Sequence, residues 1–416
     1  MSKKRLSIPG ALMLVFLAVI TTFNITLYIA SDYYSQRLGD IQQNENEYQK
    51  FSEVSAIVDK YFVGDYNEED LMDGAISGYI AALGDKWSGY YTAEEFKLIS
   101  EENNNKYAGV GITVSYDEAS GYYSITDLED DGPAQKAGIG IGDMIKAVED
   151  KDVSTVSQNE LVSMVRGEVG TFVKLTIEKT DGTVQDYNLE RQEIYTPDIT
   201  SKMLENDIGF IRIDAFDNGA EKEFDTHLDE LIAKGAKGLI FDVRVNGGGY
   251  ANVMSKMLDR LLPSGMIISM TSKDGHTQEN VSDEACIKLP MAVLTNRYSI
   301  SAAEFFAAAI QEYGVGTVVG EATGGKGYAQ TSMPLSDGSA LNISTYRYYT
   351  PKGNSLAGTG VTPDVEVALS EDALYNFYSL TYEEDTQLQK AVEVLMPKVQ
   401  AAIDAEQATE DTTAAE

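Results

Sequence analysis

One serine and one lysine in this chain have surroundings that could support nucleophilic catalysis. Ser301 stands at the start of an apolar segment with helical spacing, and Lys326 lies within the run Gly324-Gly325-Lys326-Gly327. Of the 2 histidines, His227 lies in a charged, helix-like stretch and His276 follows a turn signal, and neither setting is catalytic. A serine nucleophile here would need another base, and lysine is the usual substitute for histidine.

Each of these residues also has a simpler interpretation. Ser301 and Glu304 form a capping-box pattern, so the serine could serve only as a helix cap, and most loop lysines are exposed. The free amides at a helix start would nevertheless stabilise an oxyanion formed there. Lys326 would have to be buried away from acidic groups, because burial lowers the pKa of an amine toward neutrality.

Two further segments complete the candidate chemistry. If a strand follows Lys326, Gln330 shares its face and could orient the amine; the alternative is an ordinary polar strand residue. The triplet Gly247-Gly248-Gly249 follows an apolar strand and favours an oxyanion hole, because glycine amides can face a carbonyl closely. A phosphate loop is the weaker alternative, since the Walker lysine–hydroxyl pair and the dinucleotide spacing are both missing.

Composition limits the classes of partner. The net charge is −34, from 66 acidic and 32 basic side chains in 416 residues, so nucleic acid is excluded as a partner by charge repulsion. The length predicts two or three domains. Cys286 is the single cysteine, so no intrachain disulfide can form. Histidines and cysteines are too few for a typical zinc site, and neither a metal nor a cofactor is implied.

The amino-terminal segment has the pattern of a membrane anchor. Lys3, Lys4 and Arg5 precede an uncharged run over residues 8–30, which would span about 34 Å as a helix. The positive cluster predicts a cytoplasmic amino terminus, with the bulk of the chain extracytoplasmic in a single-pass cell-membrane protein. A cleaved signal peptide is the competing interpretation, and the length of the run favours the uncleaved anchor.

Hydrophobic periodicity divides the rest of the chain into regions of different character. A helical region precedes short strands punctuated by glycine; alternating strands and helices then predict an α/β core with parallel neighbouring strands. The polar stretch 42–47 is interpreted as a stalk, and a dimerisation arm that would make the protein a homodimer is the alternative. The last helix is expected over 387–395, closed by Pro397. The predicted regions are an anchor at 1–30, helices at 31–105, the strand-rich domain at 106–190, the α/β core at 191–370, helices at 371–400 and a disordered acidic tail at 401–416.

The strand-rich region resembles a PDZ domain. It contains Gly109-Val110-Gly111-Ile112, then Gly132-Pro133-Ala134, and later Val165-Arg166-Gly167, in the order found in such domains. The resemblance implies that the amides of Gly109, Val110, Gly111 and Ile112 hold a peptide carboxylate, while the following strand edge pairs with the peptide. The alternative is a small β-barrel whose glycines only make turns.

The motifs together resemble the carboxyl-terminal processing peptidases, also called tail-specific proteases. Asn296 to Glu304 is similar to the family's serine motif, Gly325 to Gln330 to its lysine motif, and Asp242 to Gly249 to its strand-end motif. The resemblance implies a crotonase/Clp-like α/β core. In it, Ser301 is the nucleophile, Lys326 the base, Gln330 its orienting residue, Gly248 and Ala302 the oxyanion donors, and Arg166 the residue that couples the PDZ position to the site. Val245 stands where the family has asparagine, and Gly247 where many members have proline.

The expected function is a membrane-anchored serine endopeptidase. By this resemblance, it recognises free carboxyl-terminal tails of protein or peptide substrates through its PDZ domain and cleaves them with Ser301, Lys326 and Gln330. One alternative is a catalytically silent, PDZ-containing peptide-binding protein. Another is a crotonase-type enzyme acting on acyl thioesters, which would leave the PDZ domain and the anchor unexplained.

Overall fold

The computed structural model describes residues 48–103 and 106–413, which divide into two compact units with a boundary after Met72. In the first unit, residues 48–61 form helix α1. The predicted anchor at 8–30 and the polar stretch at 42–47 lie outside the described residues. None of the described helices is long and apolar enough to cross a bilayer.

The expected helical region also contains a strand. Helix α2 spans Glu68–Ala81, strand β1 spans Gly89–Tyr91, and helix α3 spans Ala93–Glu102. Thr92 caps α3 in a reciprocal capping box with Glu95, which explains why the helix starts there. Strand β1 is too short to show a period in the sequence, and its pairing is with a strand far along the chain.

The next region is a small β-domain with a groove-forming helix. Its main sheet has the order β3-β4-β5-β7-β8, with β6 paired to β5, so that β3 is an edge strand. Strands β2 and β9 enter and leave the domain and pair with each other as an antiparallel ribbon. The elements are β2 Lys106–Gly109, β3 Ile112–Asp117, β4 Tyr122–Leu128, α4 Pro133–Lys136, β5 Met144–Val148, β6 Lys151–Asp152, α5 Gln158–Val165, β7 Phe172–Glu178, β8 Val184–Glu190 and β9 Gln192–Tyr195.

The remaining elements build the α/β core and the C-terminal helices. Apolar runs of five or six residues form the buried strands, and amphipathic segments form the helices between them. The elements are β10 Ile199–Met203, β11 Ile208–Ile213, α6 Ala220–Ala233, β12 Gly238–Asp242, α7 Ala251–Asp259, β13 Gly265–Ser272, β14 Thr277–Ser282, β15 Met291–Thr295, α8 Ala302–Tyr313, β16 Gly316–Gly320, β17 Tyr328–Pro334, β18 Ala340–Tyr349, β19 Val365–Glu366, α9 Glu371–Tyr375 and α10 Thr386–Thr413.

Two sheets organise this core. The first has the order β10-β11-β12-β15-β16-β19, antiparallel at β10 and parallel elsewhere, and confirms the predicted α/β architecture. Helices α6, α7 and α8 cover one face of this sheet and α10 covers the other, so the strands are buried on both sides. The second sheet has the order β1-β18-β13-β14, with β17 on β18, and its hairpin β13–β14 was not predicted because β14 is largely polar.

The carboxyl terminus differs from the sequence-based expectation. Helix α10 does not stop at Pro397 but continues to Thr413, into the segment for which the sequence predicts a disordered tail; residues 414–416 lie outside the described chain. Leu395 and Val399 are buried against the sheet on either side of the proline and hold that turn in place. The following alanine- and glutamate-rich sequence has high helix propensity, which outweighs its low hydrophobicity.

Candidate active site

Ser301 lies on a sharp turn between a buried strand and a helix. Strand β15 ends at Thr295, and α8 begins at Ala302, directly after the serine. The Ser301 backbone has φ 59° and ψ −120°, a strained conformation for a residue with a side chain, and only 4% of the residue is exposed. Such strain persists only where the surroundings impose it, and a strained serine on a strand-to-helix turn is the geometry of a nucleophile.

The turn before Ser301 is fixed by buried polar groups. The Ser299 hydroxyl accepts a hydrogen bond from the Asn296 amide at 3.0 Å and donates to the Val243 carbonyl at 2.7 Å. The Ile300 amide donates to the Asn246 carbonyl at 2.9 Å. Because the hydroxyl of Ser299 is fully buried and both donates and accepts a hydrogen bond, this serine holds the turn in place.

A buried carboxylate joins the serine turn to the lysine loop. Glu304 Oε2 accepts the main-chain amides of Ser301 and Lys326, each at 2.8 Å. Its Oε1 accepts the Gly325 amide at 2.7 Å and the Thr323 hydroxyl at 2.6 Å. Glu304 is fully buried, so these four bonds replace the water that its charge would otherwise hold. The capping box that the sequence indicated is therefore also the clamp between the two candidate catalytic residues.

The glycines around Lys326 allow close packing of the loop. A side chain at Gly327 would overlap Ala357, and the Gly324 amide donates to the Ser299 carbonyl at 3.0 Å. The Gly358 amide donates to the Gly325 carbonyl at 2.8 Å on the other side of the loop. The loop is therefore packed between the serine turn and the segment before β19.

The Lys326 amine lies in a partly buried environment. Burial lowers the pKa of Lys326 from its ordinary value, and the carboxylates of Glu304 and Asp85 oppose that shift without reversing it. The amine nitrogen lies 4.8 Å from the ring centroid of Trp87. Among the described residues no hydrogen bond joins it to Ser301 or Gln330.

Gln330 does not occupy the position that the sequence pattern indicated. Its Nε2 donates to Ser344 Oγ at 2.8 Å and to the Tyr328 carbonyl at 3.0 Å. Lys326 precedes β17, and a register shift between Ala329 and Gln330 breaks the alternation of side chains. The even separation therefore does not place both side chains on one face, and Gln330 makes no direct contact with the amine in this conformation.

The two predicted oxyanion donors differ in availability. The Ala302 amide is at the first position of α8 and has no acceptor among the described residues. Gly248 has φ +109° and lies so close that a side chain there would come within 2.8 Å of Ser301 Cβ, but its amide donates to Asn246 Oδ1 at 2.7 Å. The Gly248 amide therefore lies at the site but already donates to Asn246, whereas the Ala302 amide has no acceptor among the described residues.

One more side chain reaches Ser301. Burial raises the pKa of the Tyr348 phenol, and its hydrogen bond with the Ser301 side chain opposes that rise. Tyr348 also packs edge-on against Phe305, with ring centroids 4.9 Å apart. The tyrosine therefore belongs to the wall of the site, and no spacing rule in the sequence connected it with Ser301.

A buried ion-pair network supports the strand-end motif. Arg244 is fully buried and pairs with Asp242 and Asp385, each at 2.7 Å, while Gln387 accepts a further bond at 3.0 Å. Burial disfavours the charge on Asp242, but the Arg244 guanidinium outweighs it and lowers the pKa of that carboxyl. This network attaches the start of α10 to the segment that precedes the glycine triplet.

The β-domain contains a groove between its edge strand and its helix. A cavity of 240 Å³ lies between β3 and α5 and includes the four residues Gly109 to Ile112. The guanidinium of Arg166 lies 4.6 Å from the Tyr107 ring centroid, and both residues line the same cavity. An extended peptide could add to the free edge of β3 with its last side chain in an apolar pocket, which is formed by Ile112, Val114, Leu161, Val162 and Val165.

Two residues near the lysine were missed from the sequence. Asp85 and Trp87 lie between α2 and α3, far from the serine and lysine motifs in the chain, and only the fold brings them to Lys326. The signal that could have found them is composition, because Trp87 is the single tryptophan. In the part of the chain that the structure describes, no group of three or more histidine, cysteine or acidic residues could hold a metal ion.

Comparison with known proteins identifies the domains of this chain and its family. Family models match the chain for peptidase family S41 over residues 207–367, the PDZ domain over 98–178 and the N-terminal domain of the activating protease CtpB over 18–95. The carboxy-terminal processing protease CtpA of Bacillus subtilis is 30% identical over 364 residues, which are 86% of this chain and 77% of the relative. The carboxy-terminal-processing protease of Bartonella bacilliformis is 30% identical over 82% of this chain and 80% of its own.

A solved structure shares the fold. A proposed S41 protease from Bacteroides fragilis superposes with a TM-score of 0.54 at 15% identity, covering 81% of this chain and 92% of that one. The curated relatives extend over both the β-domain and the α/β core, and the family models identify the two parts separately. This chain therefore belongs to the carboxy-terminal processing proteases of peptidase family S41, which are serine proteases, and it carries a PDZ domain.

Proposed function

We propose that this protease cleaves proteins presented by their carboxyl-terminal tails, with Ser301 as nucleophile and Lys326 as general base. The observation that carries the proposal is the strained Ser301, whose amide shares one oxygen of Glu304 with the amide of Lys326. An unstrained serine would cap the helix equally well, so capping alone does not explain the strained backbone of Ser301 beside a partly buried lysine.

The chemistry follows from these positions. The neutral Lys326 amine takes the proton of Ser301 as Oγ attacks the scissile carbonyl, and it returns that proton to the leaving amine. The Ala302 amide stabilises the oxyanion, and Gly248 joins it once its amide turns away from Asn246. Water then hydrolyses the acyl-enzyme by the same route, with Lys326 activating the water.

Lys326 must move to perform this role. Its amine lies beside Trp87 and makes no hydrogen bond with Ser301 among the described residues, so rotation of the flexible lysine stem brings the base to the hydroxyl. Catalytic hydrogen bonds of this kind commonly form only in the substrate complex. The resting arrangement therefore keeps the nucleophile unactivated until a substrate enters.

Substrate selection is assigned to the PDZ groove. The amides of the Gly109–Ile112 loop would bind the tail carboxylate, and β3 would pair with the tail as an added strand. The apolar pocket favours an aliphatic final residue. Arg166 lines this cavity, and its charge beside the loop suits it to respond to a bound carboxylate and to couple the PDZ domain to the protease core.

Localisation is a separate part of the proposal. The pattern of residues 3–30 supports a single-pass anchor that places the protease outside the cytoplasm. Fractionation of cells that produce the full chain should find it in the membrane, and deletion of residues 1–30 should release it. Recovery of the full chain in the soluble fraction, at its full mass, would contradict the anchor.

The test of the catalytic assignment uses matched variants. Ser301→Ala and Lys326→Ala should each reduce cleavage of an unfolded protein at least about 1,000-fold, as for other nucleophile–base pairs. Ser336→Ala and Lys352→Ala, which change exposed residues of the same types, should cleave normally. Thermal unfolding should show that all four variants are folded.

Each outcome decides between the candidate functions. Full cleavage by either site variant would refute the assignment. A wild type that binds tails without cleaving any substrate would instead favour the silent peptide-binding alternative. Because Lys326 must be neutral, cleavage by the wild type should also fall as pH decreases, while its folded fraction stays constant.

A further inference from the structure

We propose that Trp87 is a positioning residue for the catalytic base: its indole ring covers the Lys326 amine and keeps water from it. The inference rests on the proposed function in one respect, namely that Lys326 is the base. Trp87 comes from the segment between α2 and α3, outside the residues that match peptidase family S41. The helical region would then supply part of the active site.

The contact is direct. The Lys326 amine lies 4.8 Å from the centroid of the indole, within the range of a lysine over an aromatic face. Both residues are partly buried, although lysine is normally an exposed residue. Since the amine has no hydrogen-bond partner among the described residues, contact with the ring contributes to its resting position.

The charged groups around the amine and its burial act in opposite directions on its pKa. Glu304 from α8 and Asp85 from the covering segment both favour the ammonium, as does the face of the indole itself. Burial favours the neutral amine and has the largest effect on the pKa of Lys326. Lys86 lies 4.5 Å from the same ring centroid, but this residue is exposed. Removing the ring would admit water and favour the ammonium, which cannot act as a base.

The covering segment is held by a chain of hydrogen bonds. Asp85 accepts the Trp87 amide at 3.1 Å and the Ser88 hydroxyl at 2.6 Å. The Ser344 amide donates to the Ser88 hydroxyl at 3.0 Å, and Gln330 donates to the Ser344 hydroxyl at 2.8 Å. Gln330 is therefore connected to Lys326 through the segment that carries the indole, and not by direct contact with the amine.

The fluorescence of Trp87 provides a test that needs no substrate. Because it is the only tryptophan, a change in the charge of the amine beside it should change its emission. The wild type should show an emission transition with a midpoint below 10.5, the ordinary pKa of lysine. Lys326→Met should abolish the transition, whereas Lys86→Met should retain it. Persistence of the transition in Lys326→Met would overturn the proposed contact.

The dependence of cleavage on pH tests the effect on catalysis. Trp87→Ala should shift the acid limb of kcat/KM to higher pH, with about a tenfold loss near neutrality that diminishes as pH rises. Trp87→Phe, which keeps an aromatic cover, should restore most of the wild-type profile. A purely structural role would lower the rate equally at every pH, so an unshifted acid limb in Trp87→Ala would refute the proposal.

The two tests separate this inference from the proposed function. If Lys326→Met removes the emission transition but Lys326→Ala still cleaves, Trp87 covers a lysine that is not the base, and the proposed function fails. If Lys326→Ala is inactive but Trp87→Ala keeps the wild-type acid limb, the base is correct and the covering role is wrong. Unfolding curves of each variant establish that the compared proteins are folded.

Discussion

At the scale of single residues, the site contains strain on two facing turns. Ser301 has φ 59°, and so does Val245, which precedes the glycine triplet. A β-branched side chain in this region crowds its own backbone, and the penalty is about 1–2 kcal/mol. At Ser301 the strain presents the hydroxyl. At Val245 no described contact explains the strain. The hydrogen bond from its amide to Asn296 could form with any side chain at this position.

The strain at Val245 leads to a prediction about stability. Val245→Asn should stabilise the protein by about 1 kcal/mol, because asparagine adopts positive φ at lower cost than a β-branched residue. Urea unfolding monitored by circular dichroism would measure the gain. Val245→Thr is the matched control, since threonine is also β-branched and should give no gain; equal stabilisation by both changes would contradict strain as the cause.

At the scale of elements, buried charged side chains join parts of the chain that are far apart in sequence. Glu304 connects α8 to the lysine loop, and Arg244 connects the end of β12 to the start of α10. Each of these side chains has hydrogen-bond partners on two segments, so loss of one partner would leave a buried charge or donor unsatisfied. The active site is therefore positioned by polar contacts made on an apolar three-layer scaffold.

Local sequence patterns predict that scaffold better than they predict these contacts. Strand β15 and helix α6 follow from an apolar run and from helical spacing, and the structure has both. The direct contact of Gln330 with Lys326 is absent from this conformation, and the strand irregularity beside Gln330 has no local signature in the sequence. The predicted end of α10 at Pro397 was wrong because buried residues on both sides of this proline overcome its helix-breaking effect. Trp87 was missed because only tertiary structure brings it to Lys326.

The Glu304 clamp gives a prediction for this scale. Glu304→Gln would turn an amide group toward at least one pair of donors, and the loss of two acceptor bonds should destabilise the protein by about 2–4 kcal/mol. Because the clamp between the serine turn and the lysine loop would lose one of its two acceptor oxygens, kcat should fall about 100-fold or more, with little change in KM. Steady-state kinetics and urea unfolding would measure both effects.

The control for this change lies on the same helix. Glu312 also accepts several hydrogen bonds, from the Thr350 hydroxyl, the Lys352 amide and the Asn354 side chain, but it does not contact Ser301 or Lys326. Glu312→Gln should therefore lower stability and leave kcat unchanged in the folded protein. If Glu304→Gln loses stability but keeps its kcat, the clamp is structural only.

At the scale of the whole molecule, the PDZ groove and the protease core are connected by one two-stranded ribbon. Strand β2 ends at Gly109, where the proposed carboxylate loop begins, and its partner β9 leads into the core. There Glu223 accepts the amides of Asp198 and Ile199 at 3.0 and 3.2 Å and the hydroxyl of Tyr195. A ligand bound at the proposed loop would therefore act on a strand whose partner is anchored to α6.

Under the proposed function, the terminal charge of the substrate should therefore be a determinant of cleavage. Two substrates identical except for a free carboxylate or a carboxamide at the tail should differ about 10- to 100-fold in kcat/KM, the range expected for charge-assisted hydrogen bonds to backbone amides. Val162→Arg, which fills the groove from α5, should remove this difference and leave both substrates at the lower rate. Equal cleavage of the two substrates by the wild type would show that the groove does not select the tail, and retained discrimination in Val162→Arg would place the selecting site elsewhere in the molecule.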